Sequence, residues 1–324
     1  MKLQILALDG LLDTGLAVVL DVFTTANELA AGFALDVPRF EVQIVGLRRR
    51  VKTAQGFIVP IAGRLDPAAA DWLVVPAIGY KMPDLLVPAL QRPDIREAAM
   101  ALREGGQAGT PIAAACIGTF VLAESGLLDG QVATTTWWLA PLFRERYPAV
   151  SLESERMLVR SGGLVTSGAA LSHMDLALWL VRQTSPELAD VVARYLIIDH
   201  RPTQSAYAIP DHLANADPLV SKFERWARGH LAKGFSLESA AEAVGASKRT
   251  LARRLGQVLG RSPLSYFQDL RVERAVHLLK TTSRSLEQIA ADVGYADSVT
   301  LRSLLRQKLG RGVRELRSGG EGER

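Results

Sequence analysis

Over the first 200 residues, short apolar runs alternate with longer stretches whose apolar positions recur every three or four residues. The apolar runs predict strands of a buried parallel sheet at residues 3–8, 40–45, 73–75, 112–115 and 132–135. The longer stretches predict helices at residues 14–30, 93–104, 118–125, 139–146, 172–183 and 186–196. Residues 157–159 and 164–166 flank a Ser-Gly-Gly turn and predict a hairpin. Alternation of strands and helices is typical of an α/β domain, which we expect over residues 1–198.

The periodic pattern stops at residues 199–220. Three prolines and the absence of a clear period predict a linker there. Residues 221–316 have only helical periodicity, so an all-α second domain is expected. The Gly-rich end, residues 317–324, predicts a disordered tail.

Composition narrows the function classes. Hydrophobic residues make up 48% of the 324 residues, and no apolar run approaches the ~20 residues of a membrane helix. The first residues lack the pattern of a secretory signal peptide. Cys116 is the single cysteine, which excludes an intramolecular disulfide or a multi-cysteine zinc site and fits a reducing cytoplasm. We therefore expect a cytoplasmic protein with no cofactor and no metal.

The net charge of +4 is distributed unevenly. Residues 221–324 contain 20 Lys and Arg against 11 Asp and Glu, whereas residues 1–220 contain 18 against 23. A basic last third indicates a part that meets nucleic acid, although solvated helix faces produce the same asymmetry.

An internal repeat lies in this basic third. The sequence Ser-Leu-Glu-Ser-Ala-Ala-Glu-Ala-Val-Gly at residues 236–245 matches Ser-Leu-Glu-Gln-Ile-Ala-Ala-Asp-Val-Gly at residues 285–294. Each copy starts with a Ser suited to an N-cap and ends with a Gly suited to the C′ position. A second amphipathic helix then starts near Ser247 in one copy and near Asp297 in the other. The repeat predicts two helix-turn-helix units.

Polar side chains lie near the start of the second helix of each unit, where a recognition helix meets base edges in the major groove. The candidate DNA-binding residues are Lys248, Arg249 and Arg253, beside Arg254, in the first copy and Ser298, Thr300 and Arg302 in the second. Two such helices suit double-stranded DNA, entering major-groove faces about 34 Å apart. A helical oligomerisation domain with solvated basic residues is the alternative.

Residues 221–316 resemble the C-terminal DNA-binding domain of the AraC/XylS transcription regulators. The matching stretches are the repeat itself, Gly-Arg-Ser-Pro-Leu-Ser-Tyr at 260–266, Arg-Val-Glu-Arg-Ala at 271–275 and Ile-Ala-Ala-Asp-Val-Gly-Tyr-Ala-Asp-Ser at 289–298. Leu301 and Leu305 stand where members usually carry an aromatic residue, and Ser303 stands where they carry an arginine. The resemblance therefore implies that the second unit reads DNA more weakly, or mainly through phosphate contacts.

Residues 110–130 predict a strand, a sharp turn at Cys116 and a helix. A helix N-terminus lowers the pKa of a thiol and directs backbone N–H groups at an anion, and hydrolases place their nucleophile in this geometry. A buried structural cysteine is the alternative interpretation.

Residues 3–198 resemble the PfpI-like domain, which is related to class I glutamine amidotransferases. The resemblance rests on the stretch from Cys116 to Gly130, Val-Ala-Thr-Thr at 132–135 and Leu-Val-Val-Pro at 73–76. Asp13 stands where enzymatic relatives carry an acid that faces the cysteine. Those relatives often have His after Ala-Thr-Thr, where this chain has Thr136, and a cysteine hydrolase needs such a base. We interpret His173, the histidine nearest the matched motifs, as a framework or surface residue.

The two resemblances together match the GlxA-like transcription regulators. They imply a flavodoxin-like first domain, with a mainly parallel sheet, that senses a small metabolite, and a homodimer that works with RNA polymerase away from membranes. The candidate effector-binding residues are Asp13, Ile78, Gly79, Cys116, Ile117, Thr136 and Trp137. Trp137 and Trp138 are candidates for a wall that binds a betaine-like or amino-acid-like effector by cation–π contact.

Two other functions stay open from the sequence. One is a cysteine-dependent hydrolase or hydratase that uses Cys116 and Asp13, and Thr136 counts against it. The other is a redox sensor with Cys116 as a reversible thiol, which needs a low thiol pKa and an exposed side chain. We expect a regulator and not an enzyme.

Overall fold

The computed structural model of the chain describes residues 1–201, 203–204, 217–310 and 312–318. Contacts divide it into two units, Met1–Gln204 and Ser205–Arg324. Thr203 and Gln204 fall in the predicted linker but pack on the first unit, where the Gln204 N–H donates to the Glu155 carbonyl at 2.8 Å. The middle of the predicted linker, residues 205–216, and the end of the predicted tail, residues 319–324, lie outside the described residues.

The strands of the first unit are β1 (Lys2–Leu6), β2 (Glu41–Gly46), β3 (Arg50–Lys52), β4 (Ile58–Pro60), β5 (Gly63–Arg64), β6 (Trp72–Val75), β7 (Ile112–Ala115), β8 (Val132–Ala133), β9 (Ser151–Leu152), β10 (Leu158–Ser161) and β11 (Leu164–Ser167). Seven of them form one sheet in the order β10-β11-β7-β6-β1-β2-β5. Its neighbours pair in parallel, except that β10 and β11 form an antiparallel hairpin.

Helices cover both faces of this sheet. They are α1 (Asp13–Gly32), α2 (Pro83–Leu90), α3 (Pro93–Gln107), α4 (Gly118–Glu124), α5 (Ala140–Arg146), α6 (Ser172–Thr184) and α7 (Pro186–Tyr195). Leu73 and Val75 of β6 pack into the core beneath α2–α5, and Val74 packs into the core beneath α1, α6 and α7. Burial on both faces explains why the central strands are apolar throughout.

The fold class predicted from the sequence is confirmed, and several elements need correction. The predicted strand at residues 132–135 is only β8, which pairs with β9 outside the main sheet. The β3–β4 hairpin, β5 and α2 were not predicted. These strands are two or three residues long and largely exposed, and α2 contains Pro88, so none gives a periodic signal.

The second unit is helical. Its helices are α8 (Pro218–Arg228), α9 (Leu237–Ala243), α10 (Lys248–Leu259), α11 (Pro263–Thr281), α12 (Leu286–Asp292), α13 (Ser298–Leu309) and α14 (Val313–Ser318). The pairs α9–α10 and α12–α13 are the two predicted helix-turn-helix units, and α11 links them. Helix α14 extends into the predicted tail as far as Ser318.

The predicted caps of the repeat are present. The Ser236 side chain accepts from the Ser239 N–H, and Ser285 forms a capping box with Gln288. Gly245 and Gly294 follow the first helix of each unit at φ +69° and +81°, the left-handed region that glycine adopts without strain.

Candidate functional site

Cys116 lies in a sharp turn between β7 and α4, with φ of 55°. Its N–H donates to the Ser167 carbonyl at 2.9 Å, and its own carbonyl accepts from Thr135 Oγ1 at 2.7 Å. A Cβ on Gly118 would lie 2.2 Å from the Val75 carbonyl oxygen, so only glycine allows α4 to start this close to β6. Neighbouring strands therefore hold the turn from both sides.

The thiol of Cys116 is 2% exposed. Burial raises its pKa to about 12, although the Ile117 amide and the Thr136 hydroxyl act in the opposite direction. The expectation that the helix N-terminus lowers this pKa is wrong, because desolvation of a thiolate outweighs the dipoles of the turn. Cys116 is a neutral thiol at physiological pH.

A cavity of about 260 Å³ opens beside the thiol. Its lining residues are Leu12, Ala77, Ile78, Gly79, Lys81, Cys116, Ile117, Trp138 and Ala170. The lining is mostly apolar, and Lys81 is the one residue among these nine that carries a charge. Such a cavity suits a small molecule with an apolar body and a few polar groups.

Four of the seven predicted effector-binding residues line this cavity: Cys116, Ile117, Ile78 and Gly79. Gly79 is held close to the β3–β4 hairpin, since a Cβ there would lie 2.4 Å from Ala54 Cβ. These four residues belong to the Cys116 turn and to the loop after β6.

The other three predicted residues lie outside the lining. Asp13 starts α1 next to the lining residue Leu12, and its Oδ2 accepts from the Gln55 N–H at 3.1 Å. Thr136 is fully buried, and its hydroxyl lies beside the Cys116 thiol. Trp137 stands edge to face against Trp138, with ring centroids 5.5 Å apart.

Trp138, and not Trp137, forms the aromatic wall. Its Nε1 donates to the Lys81 carbonyl at 3.0 Å, which joins the loop after β6 to the segment after β8. Lys81, Leu12, Ala77 and Ala170 were missed, because they come from loops that only the folded sheet brings together.

His173 is completely buried beside the cavity. Its Nε2 accepts from the Ala77 N–H at 3.0 Å, so Nδ1 carries the hydrogen and donates to the Ala170 carbonyl at 2.5 Å. Burial lowers the pKa of the imidazole to about 4. Both ring nitrogens are occupied, which agrees with the interpretation of His173 as a framework residue.

The predicted DNA-binding residues of the first helix-turn-helix unit, α9–α10, lie on the exposed surface of α10. Lys248, Arg249 and Arg253 are exposed, and Lys248 pairs with Glu238 at 3.0 Å. Arg254 differs from them, since its guanidinium forms an ion pair with Asp217, which is buried and caps α8. The structure therefore separates a structural arginine from three exposed cations.

The second helix-turn-helix unit, α12–α13, presents a less basic surface on α13. Thr300 and Arg302 are exposed, and Ser298 is half-buried with its hydroxyl donating to Glu287 at 3.0 Å. Asp297 caps α13 and accepts from both the N–H and the hydroxyl of Thr300. Val299 was not predicted, yet 67% of it is exposed at the start of this helix.

Residues 1–183 match the DJ-1/PfpI family, and residues 240–319 match a helix-turn-helix domain. The first match covers more than half of the chain. The chain belongs to the DJ-1/PfpI family. The Cys116 turn and its cavity lie within the part that this family matches.

Similar curated proteins share both domains. The HTH-type transcriptional regulator GbdR of Pseudomonas aeruginosa is 28% identical over 277 residues, covering 84% of this chain and 72% of GbdR. The HTH-type transcriptional regulator ArgR of the same species is 28% identical over 260 residues, covering 79% of this chain and 75% of ArgR. This DJ-1/PfpI member thus has the GlxA-like arrangement, with an AraC-type helix-turn-helix domain after the family domain, and is a transcription regulator.

A solved structure supports the fold of the first unit. The crystal structure of an AraC family transcriptional regulator from Pseudomonas putida matches with a TM-score of 0.50 and 24% identity, covering 60% of this chain and 98% of that one. Within the part of the chain that the structure describes, no helix is long and apolar enough to cross a membrane. The same residues contain no group of three or more His, Cys, Asp or Glu placed to hold a metal ion.

Proposed function

We propose that this regulator senses a small metabolite in the cavity at Cys116 and reads promoter DNA with α10 and α13. The observation that carries the proposal is the pairing of an open, mostly apolar cavity with a cysteine and a histidine that are both held neutral. A cytoplasmic location follows from the proposed binding to DNA. The homodimer and the contact with RNA polymerase remain predictions.

Binding without turnover is the chemistry that the cavity supports best. A cysteine nucleophile needs a thiolate or an adjacent base, and burial holds Cys116 as a thiol. His173 has no free nitrogen to accept a proton, and the Thr136 hydroxyl is a poor base near neutral pH. The same buried thiol also disfavours a redox sensor, which needs an accessible thiolate.

A zwitterion of amino-acid or betaine type fits the lining. The Trp138 ring offers a face for a quaternary or primary ammonium group. Lys81 offers a positive charge for a carboxylate, and the apolar residues between them suit the hydrocarbon body. A cavity of about 260 Å³ limits the effector to a small molecule.

A chain of hydrogen bonds connects the cavity with the start of the linker. Thr135 Oγ1 donates to the Cys116 carbonyl, and the Thr135 carbonyl accepts from Gln204 Nε2 at 2.8 Å. Gln204 is 1% exposed, and its Nε2 also donates to the Ser154 carbonyl at 2.9 Å. It is the last residue of the first unit.

A second contact attaches the same segment to the opposite wall. Arg201 donates to the Leu171 carbonyl at 3.1 Å and pairs with Asp175 of α6 at 2.5 Å. Leu171 follows the lining residue Ala170. We propose that an effector that shifts the Cys116 turn or Ala170 shifts the start of the linker, and so biases how the two DNA-reading units are presented.

A thermal-shift measurement on the full chain tests the sensor. The ligands are amino acids and trimethylammonium carboxylates, each at millimolar concentration. At least one should raise the unfolding temperature, because a ligand that binds only the folded state stabilises it by mass action. The shift should disappear in Trp138→Ala and persist in Trp137→Ala, the neighbouring residue outside the lining.

Two results would contradict the proposal. One is a ligand whose effect survives Trp138→Ala, which would place its site elsewhere. The other is turnover of an amide, ester or dicarbonyl substrate that is lost in Cys116→Ala, which would make the first unit an enzyme.

A further inference from the structure

The two helix-turn-helix units have separate hydrophobic cores. Residues Phe267 and Leu270 of α11 belong to the core of the first helix-turn-helix unit, and Val272 and Ala275 belong to the core of the second helix-turn-helix unit. The boundary between the two cores therefore falls at position 271 of this helix. Among the described residues, no single core spans the two helix-turn-helix units, so the continuous helix α11 and the contacts at this boundary set the angle between them.

Arg271 occupies this boundary and contacts both units. It is 9% exposed, and its Nε and Nη2 donate to the Leu231 carbonyl at 3.0 and 2.8 Å. Its guanidinium lies 4.8 Å from the ring centroid of Phe267 and 5.0 Å from that of Tyr295. Leu231 follows α8 and belongs to the core of the first helix-turn-helix unit, and Tyr295 lies in the turn between α12 and α13.

Gly294 shows how closely the units approach at this point. A Cβ on Gly294 would lie 2.4 Å from Arg271 Nη2 and 2.4 Å from the Leu231 carbonyl oxygen. The turn of the second helix-turn-helix unit thus packs directly on the Leu231 carbonyl of the first. The Arg271 guanidinium is held against the rings of Phe267 and Tyr295. A planar group that donates two hydrogen bonds and stacks on two rings has one geometry, which lysine cannot reproduce.

Asp269 makes a second connection, two residues earlier on α11. Its carboxylate pairs with Arg261, which follows α10, and with Lys308 of α13. All three side chains are at least three-quarters buried. One carboxylate therefore joins the ends of both recognition helices to the linking helix.

We infer that Asp269 and Arg271 are positioning residues that hold α10 and α13 in one mutual orientation, so that the chain reads two half-sites at a single spacing. The inference rests on the proposed DNA-binding function. Inserting one base pair rotates one half-site by about 34° relative to the other, since B-DNA has about 10.5 base pairs per turn. A rigid pair of recognition helices cannot follow that rotation.

The experiment uses the full chain and a pool of random duplexes, from which bound sequences are enriched and the two half-sites are mapped by base substitution. Dissociation constants are then measured on the best duplex and on duplexes with one or two base pairs inserted between the half-sites. The wild type should lose about 30-fold or more on the first insertion, the cost of losing base contacts in one half-site. Arg271→Lys and Asp269→Asn should bind the best duplex more weakly and lose less than about 5-fold on insertion.

Arg274→Lys is the matched control, because Arg274 is exposed on the same helix. It should keep the wild-type ratio of dissociation constants between the duplexes with insertions and the best duplex. Thermal unfolding confirms that each variant is folded. Asp269→Asn keeps the test decisive if Arg271→Lys does not fold. Folded variants at positions 269 and 271 that keep the wild-type ratio would overturn the inference alone. A wild-type chain that enriches no duplex would overturn the proposed function as well.

Discussion

Cys116 and His173 lie near the same cavity, and burial shifts the pKa of each towards its neutral form. Both side chains belong to residue types that catalyse reactions in exposed or charged sites. Here the thiol faces an apolar cavity, and the imidazole bridges two backbone groups. At the scale of single residues, burial therefore leaves both groups neutral beside the cavity, which supports the proposed binding role over catalysis.

Cys116→Ala should leave the fold and DNA binding intact. The loss of one small buried sulfur should lower the free energy of unfolding by about 1 kcal/mol, and alanine keeps the same positive φ. Chemical denaturation and binding to an enriched duplex measure the two effects. A loss of DNA binding in the folded variant would contradict this prediction, because it would show that DNA binding depends on the Cys116 side chain.

The pKa of His173 predicts an acid-dependent loss of stability. In the unfolded chain the imidazole has its ordinary pKa of about 6.5, whereas in the folded protein the pKa is about 4. Between these values the unfolded state binds more protons, so stability is fully present above about pH 6.5 and falls as the pH drops towards 4. The full loss is about 3 kcal/mol.

Denaturation at pH 7 and at pH 4.5 measures this loss. His173→Gln should be less stable at pH 7 but should lose less on acidification than the wild type. His277→Gln, at an exposed position of α11, is the control and should keep the wild-type difference. Equal acid dependence in all three chains would contradict the prediction.

At the scale of elements, the hydrogen bonds of Arg201, Thr203 and Gln204 attach the start of the predicted linker to elements near the cavity. Gln204→Leu removes the hydrogen bond to Thr135, which in turn holds the Cys116 carbonyl. The Cys116 turn should open more often, so that a thiol reagent modifies the single cysteine several-fold faster. Gln183→Leu, at an exposed position of α6, should keep the wild-type rate.

The rate at which the thiol reagent modifies Cys116 also tests coupling between the cavity and the DNA-binding domain, and this test needs no effector. If the linker transmits changes in both directions, binding of an enriched duplex must alter the labelling rate of Cys116 in the wild type. The alteration should be absent in Gln204→Leu. A duplex that binds tightly and leaves the wild-type rate unchanged would exclude coupling along this path.

On helix α10, the exposed cations differ from Arg254, which pairs with the buried Asp217. Arg249→Ala should lose about 1–3 kcal/mol of affinity for an enriched duplex and little for a random one, if it contacts base edges. Arg254→Ala should instead lower the free energy of unfolding by about 1–3 kcal/mol, because it leaves the buried Asp217 without its cation. Equal losses on both duplexes would make Arg249 a phosphate contact.

At the scale of the whole molecule, the asymmetric charge predicts strong salt dependence of DNA binding. The full chain should bind duplex DNA about 100-fold more weakly at 200 mM than at 50 mM salt if about four phosphates are neutralised. Titrations at several salt concentrations give the number of contacts. Binding that does not depend on salt would contradict a phosphate-based interface.

The features that depend on local periodicity and on helix caps could be predicted from the sequence. Runs apolar on both faces predicted the central strands, and the repeat with its Ser and Gly positions predicted both helix-turn-helix units. Local rules are sufficient there because the hydrogen bonds of a cap or a turn involve residues a few positions apart.

Which side chains meet, and how far water reaches them, follows from packing between distant parts of the chain. Lys81, Trp138 and Ala170 come from separate loops, and only the parallel sheet brings those loops to one cavity. The pKa of Cys116 rises instead of falling because burial depends on the surrounding layers, which no local pattern records. The contacts of Arg271 likewise join residues 40 positions apart, so their geometry follows from packing and not from the motif.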